Sequence, residues 1–103
     1  MNTRPVTLVR IFLREGEHVL DKLVHFLHVE QRVVGLTVLR GIIGVGQDGR
    51  LHPASLVELS LDLPLVVEFF DQPEQVERVV KELQERFQLA HVVCLPGQAY
   101  GVP

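Results

Sequence analysis

Residues Gly35 to Phe70 constrain the fold more than any other stretch of the chain. Two runs with strand character, Leu36 to Val45 and Leu63 to Phe70, are joined by a long excursion, and glycines at 41, 44, 46 and 49 run from the end of the first into it. Glycine costs roughly 1 kcal/mol against alanine in a helix interior, so the excursion is unsuited to a helix. It is also too polar for a core. Binding residues concentrate in loops held on a rigid scaffold, and the rest of the chain reads as that scaffold.

The scaffold begins with a strand at Pro5 to Leu13. Val6, Leu8, Arg10 and Phe12 share one face, and Thr7, Val9, Ile11 and Leu13 the other. Arg14-Glu15-Gly16-Glu17 ends the alternation in a turn. Residues 18 to 31 carry Val19, Leu20, Leu23, Val24 and Leu27 at helical spacing, with Glu17 and Asp21 at the positive end of the helix dipole. Gly35 is the expected turn from this helix into the second strand, Leu36 to Val45. Glycines 41, 44 and 46 at the far end of that strand indicate a bulge or a close backbone approach. Asp48-Gly49 has the chemistry of a hairpin turn. Beyond it, Arg50 to Ser60 is open: Pro53 can start a short helix, or the chain can stay extended.

In the third strand, Leu63, Leu65, Val67 and Phe69 share one face, and Val66, Glu68 and Phe70 the other. Asp71-Gln72-Pro73-Glu74 is a helix start, with Asp71 as the expected cap and Pro73 in the first turn. Val76, Val79, Val80, Leu83 and Phe87 then give the clearest amphipathic helix. Ala90 to Leu95 is the fourth strand, ended by Pro96-Gly97, and Gln98 to Pro103 is expected to be a mobile tail.

The order β-α-β-β-α-β is that of the α+β ferredoxin-like fold, an antiparallel sheet with two helices on one face. With 103 residues, 47% of them hydrophobic and 22% charged, one globular domain over residues 1–103 is expected. The first and third strands are apolar on both faces. If about six such side chains faced water, roughly 10 kcal/mol of burial would be forgone, comparable to the stability of a small domain. Other copies of the chain are therefore expected on the helix-free face.

Function classes are narrowed by charge and by the residues present. A net charge of −3 gives no basic surface for nucleic acid. Neither a signal-peptide pattern nor an apolar run of bilayer length is visible, so a cytoplasmic protein is expected. Cys94, the single cysteine, cannot form an internal disulfide and is expected in the core. No nucleophile stands beside a base, and the expectation is a protein that is not an enzyme.

Thr37-Val38-Leu39-Arg40-Gly41-Ile42-Ile43-Gly44-Val45-Gly46, His52, and Leu59-Ser60-Leu61-Asp62-Leu63-Pro64-Leu65-Val66-Val67-Glu68 closely resemble the domain-of-unknown-function 190 family. That family is similar to the PII-like signalling proteins. The resemblance implies a homotrimer that binds a small anionic ligand, an adenine nucleotide first, in clefts between subunits. It also implies that the loop between the second and third strands reports to a partner, with a fluoride-exporter-type channel as candidate. By the same resemblance Thr37 lines the cleft, Gly44 and Gly46 form the loop base, and Glu68 and Phe70 face the nucleotide base. PII proteins carry a glycine-rich phosphate loop after the second helix, whereas Gln84 to His91 contains no glycine. Arg40, Arg50 and His52 are the substitute candidates for anion binding.

Two further patterns compete with this reading. Gly44-x-Gly46-x-x-Gly49 matches a dinucleotide fingerprint, but a turn and Arg50-Leu51-His52-Pro53 follow where the fingerprint requires a helix. His18, His25 and His28 lie on the polar face of the first helix, with Asp21 near. His25 and His28 are the metal candidates there, against a solvated polar face. A trimeric divalent-metal-binding protein of the same fold, or a ligand-free trimeric scaffold, are the alternatives.

Overall fold

The computed structural model describes residues 2–45, 49, 51–53 and 63–101, with backbone alone at 51–53. Strand β1, Thr3–Arg14, leads through a 3-10 turn, Glu15–Glu17, into helix α1, Leu20–His25, which continues as a π-helical turn over Phe26–Glu30. Strand β2, Val34–Arg40, follows. Strands β3, Ile43–Val45, and β4, Leu51–Pro53, form a separate antiparallel pair. Strand β5, Pro64–Asp71, helix α2, Pro73–Arg86, and strand β6, His91–Tyr100, complete the described chain.

The main sheet has the order β2-β5-β1-β6 with every pairing antiparallel. This is the expected ferredoxin-like α+β arrangement, with β3 and β4 added as a hairpin between the two middle strands of the sequence. Both helices cover one face. Val9, Ile11 and Leu13 of β1 and Leu65, Val67 and Phe69 of β5 are buried against Leu23, Phe26 and Leu27, and against Val76, Val79 and Leu83 of α2. Alternation on the strands and the i, i+3, i+7 repeat on α2 meet in this core.

Several sequence expectations change. The second strand does not run unbroken to Val45: it stops at Arg40, the Gly41 N–H donates to the Pro64 carbonyl at 2.8 Å, and the hairpin begins at Ile43. The first helix starts at Leu20 and contains a π turn. Phe26, absent from the expected stripe, is fully buried beside Leu27, on the face that the i, i+3, i+4 spacing from Leu23 already defines. The turn at the helix exit is made at Arg32, with φ 52°, while Gly35, also left-handed, already lies inside β2. Asp71 ends β5 and Gln72 is the N-cap of α2; Asp71 Oδ1 accepts from the Gln72 N–H at 2.8 Å.

The fourth strand passes through Pro96-Gly97 to Tyr100, because proline is tolerated on an edge strand whose N–H would face outward. Gln98 to Tyr100 therefore pair with β1 rather than forming a mobile tail, and the Gly101 N–H donates to the Asn2 carbonyl. Cys94 is exposed rather than in the core, because β6 lies at the sheet edge. The residual shielding there still pushes its thiol pKa up. The expected Asp48-Gly49 turn falls between β3 and β4. Gly49 has φ 75°, while Asp48 and the alternatives for 54–60 lie outside the described residues. Among the described residues no helix is long and apolar enough to cross a membrane.

Candidate functional site

The helix-free face of the sheet is organised in rows set by strand register. Thr37 lies opposite Glu68, Glu68 opposite Arg10, and Arg10 opposite Val93. One side of this row holds Leu39, Val66, Phe12 and His91; the other holds Val34, Phe70, Leu8 and Leu95. A polar strip thus crosses three strands between apolar flanks. Phe12 is 42% exposed, Leu39 50%, Val93 41% and Leu95 47%, values far from those of a covered face.

Arg10 Nε donates to Glu68 Oε2 at 2.7 Å in the middle of the strip. Arg10 is a member of this strip that sequence reasoning did not single out. Its signal was available: Arg10 and Glu68 are the lone charges inside two otherwise apolar strands, and antiparallel register makes them neighbours. Cross-strand pairs of opposite charge are attractive on a sheet face.

Phe70 flanks the strip, two residues along β5 from Glu68. Gly35 has φ 63° and sits at the irregularity between Val34 and Thr37, where β2 changes register against β5. A side chain on Gly35 would meet the Phe70 ring at 2.2 Å. The glycine therefore makes room for the ring and supplies the backbone conformation of the bulge, which brings Thr37 into register with Glu68.

The remaining sequence candidates are placed elsewhere. Arg40 lies opposite Leu65, on the helix side of the sheet, and its Nε is 2.7 Å from Glu15 Oε1. That buried carboxylate oxygen has no aligned hydrogen bond, so the contact is one of charge. Glu15 also donates its backbone N–H to the Leu63 carbonyl at 2.9 Å. Arg40 is thus drawn to the root of the excursion, away from the Thr37–Glu68 strip. Gly44 packs on Pro64, where an added Cβ would lie 2.8 Å from the proline ring. The His52 backbone pairs with Gly44 in the hairpin. Gly46 and Arg50 lie outside the described residues.

The helix surface carries a shallow cleft of about 410 Å³ lined by Asp21, Lys22, His25, Glu30, Arg86 and Phe87. Arg86 Nη1 donates to Glu30 Oε1 at 2.6 Å, and its guanidinium lies 4.8 Å from the centroid of the Phe26 ring. The hydrogen bond from Arg86 holds the Glu30 carboxyl below its ordinary pKa, and the same bond raises Arg86. His25 Nδ1 is 3.7 Å from Glu30 Oε2, and His28 is exposed. Among the described residues no group of three or more His, Cys, Asp or Glu side chains is placed to hold a metal ion.

Comparison with solved structures shows a PII-like fold. CPII of Thiomonas intermedia K12, a nitrogen regulatory PII-like protein solved with ADP, AMP and bicarbonate, matches with TM-score 0.69 at 18% identity, over 95% of this chain and 91% of that one. A PII-like signalling protein of Thermus thermophilus, TTHA0516, matches with TM-score 0.67 at 20% identity, over 99% and 94%. CutA1 of Oryza sativa matches with TM-score 0.55 at 10% identity, over 98% and 85%. Among sequence relatives, a UPF0166 protein of Aquifex aeolicus is 32% identical over 75% of this chain and 77% of its own length. The UPF0166 protein MJ1524 of Methanocaldococcus jannaschii is 33% identical over 76% of this chain and 75% of its own length. The model of the domain-of-unknown-function 190 family, uncharacterized ACR, matches residues 6–97, and the chain belongs to that family.

Proposed function

We propose that this protein is a non-enzymatic, PII-like regulatory protein that binds an adenine nucleotide between subunits of a homotrimer and signals through the excursion between β2 and β5. The observation that carries this reading is the register of Thr37 opposite Glu68 on the uncovered face, with Phe70 two residues beyond. A hydroxyl, a carboxylate and an aromatic ring then share one surface, and each has a role toward a nucleoside. Threonine offers a donor or acceptor, glutamate accepts from an amine or a ribose hydroxyl, and the ring offers an apolar contact. The ADP and AMP held by CPII, which shares the fold, support the choice of nucleotide.

Self-association supports the intersubunit location. Phe12, Leu39, Val93 and Leu95 on the same face are each about half exposed. Covering them with further copies of the chain contributes on the order of 1 kcal/mol per side chain. Ligand sites are typically concave and mostly apolar with a few polar groups; a flat sheet face becomes concave only when a second copy stands against it. The protein is placed in the cytoplasm, where nucleotides are abundant, and a membrane channel of the fluoride-exporter type is the proposed recipient of the signal.

Calorimetric titration with ADP tests the reading. Heat is expected from the wild type, with weaker binding by Thr37→Val and Glu68→Gln. Absence of heat from the wild type with ADP, AMP and ATP at high micromolar protein would falsify the nucleotide function.

A further inference from the structure

The geometry points to Arg10 and Glu68 acting together as a base-selecting pair: Glu68 accepts from the exocyclic amine of an aminopurine while Arg10 donates to the adjacent ring nitrogen. This rests on the nucleotide reading above and adds to it a specificity-determining residue, Arg10, and a preferred base edge.

The first support is the composition of the polar strip. Arg10 Nε donates to a single carboxylate oxygen, Glu68 Oε2. A guanidinium carries five N–H donors and a carboxylate about four acceptor positions. The pair therefore keeps donors on Arg10 and acceptors on Glu68 side by side, and both side chains retain access to solvent, 47% for Arg10 and 25% for Glu68. An adjacent donor and acceptor complement a surface that presents an acceptor beside a donor. Adenine does so through its ring nitrogen and amino group. On the N7 edge guanine offers two acceptors, N7 and O6, one of which would face the Glu68 carboxylate, so selection against guanine applies to that edge; on the Watson–Crick edge O6 beside N1–H would match the pair as adenine does.

Charge supports the same assignment. Arg10 and Glu68 neutralise one another across 2.7 Å, so the strip is matched to a neutral base. A phosphate placed on Arg10 would stand beside the Glu68 carboxylate and be repelled by it. The flanks agree, because Leu8 and Phe70 on one side and Phe12, Val66 and Leu39 on the other are apolar walls for the faces of a planar ring. A purely structural pair would also hold the two strands together, but exposed ion pairs of this kind contribute little to stability. A structural role predicts no dependence on the atoms of the base.

The test pairs ligand atoms with the residue. Wild-type protein is titrated calorimetrically with ADP, 1-deaza-ADP and 7-deaza-ADP, and Arg10→Met and Arg10→Lys are titrated with the same three. The wild type is expected to bind one deaza analogue about 10- to 100-fold more weakly than ADP, the range of a hydrogen bond from a charged donor. Arg10→Met is expected to bind ADP and that analogue equally. If Arg10→Met binds none of them, Arg10→Lys must restore ADP binding together with discrimination, and failure to do so overturns the inference. Equal binding of all three by the wild type overturns it, as does discrimination kept in Arg10→Met. Absence of ADP heat from the wild type instead removes the nucleotide site itself, an outcome distinct from ADP binding without atom dependence.

Discussion

The ring of Phe70 occupies the space a side chain at Gly35 would need, with ring atoms 2.2, 2.6 and 3.0 Å from the position of its Cβ. Gly35 also has φ 63°, so alanine there meets both a clash and a strained backbone. Gly35→Ala is expected to lose about 1–3 kcal/mol of stability. For a domain of this size that is a fall in Tm of roughly 4–8 °C per kcal/mol, read by thermal unfolding without ligand. Adding Phe70→Ala should recover the steric part but not the dihedral part, so the two changes are non-additive. An unchanged Tm in Gly35→Ala would contradict this account of the bulge.

Leu8 and Leu65 distinguish assembly from folding. Leu65 is buried on the helix side, whereas Leu8 lies on the helix-free face beside Phe70 and Leu95. Leu65→Asp buries an unpaired charge in the core and is expected to abolish the folded state. Leu8→Asp is expected to keep native circular dichroism but yield monomer. Light scattering of the wild type at low micromolar concentration should give three times the monomer mass; a folded wild-type monomer would refute the proposed trimer.

Glu30 and Arg86 predict an acid-sensitive tie between the helices. The hydrogen bond from Arg86 lowers the Glu30 pKa in the folded state. The contribution to stability is therefore fully present above the ordinary glutamate range and is lost as the pH falls through the depressed folded value. Glu30→Gln should lower Tm slightly at pH 7, and its difference from wild type should shrink as the solution is acidified below the glutamate range. A difference that grows on acidification would reverse the assignment. Arg86→Ala should cost more than Glu30→Gln, since it also removes the guanidinium from the Phe26 ring.

Gly44 separates packing from ligand contact. Its added Cβ would lie 2.8 Å from Pro64 Cγ and 3.2 Å from Pro64 Cβ. Gly44→Val is expected to lower Tm measured without ligand by a few degrees, the scale of about 1 kcal/mol in a domain of this size, and Pro64→Ala in the same chain should recover part of the loss. A Gly44→Val protein with unchanged ligand-free Tm would show that the Pro64 contact is not what requires glycine.

The element order and the grouping of residues into faces on β1, β5 and α2 were legible in the sequence because alternation and the 3.6-residue repeat are local properties of the chain. Val9, Ile11 and Leu13, or Val76, Val79 and Leu83, need no knowledge of partners to be read as one face. Phe26 was legible too, at i+3 from the buried Leu23, although the expected stripe left it out, and β6 ran past Pro96-Gly97 because a proline ends a strand only where its missing N–H is needed. Which of two apolar strand faces meets the helices, and which residues stand side by side across strands, was decided by tertiary structure alone. Thr37, Glu68 and Arg10 are distant in sequence and become one strip only through register. Arg40, three residues from Thr37, is directed to the opposite face by the two-residue period of a strand and is held there by the charge of Glu15.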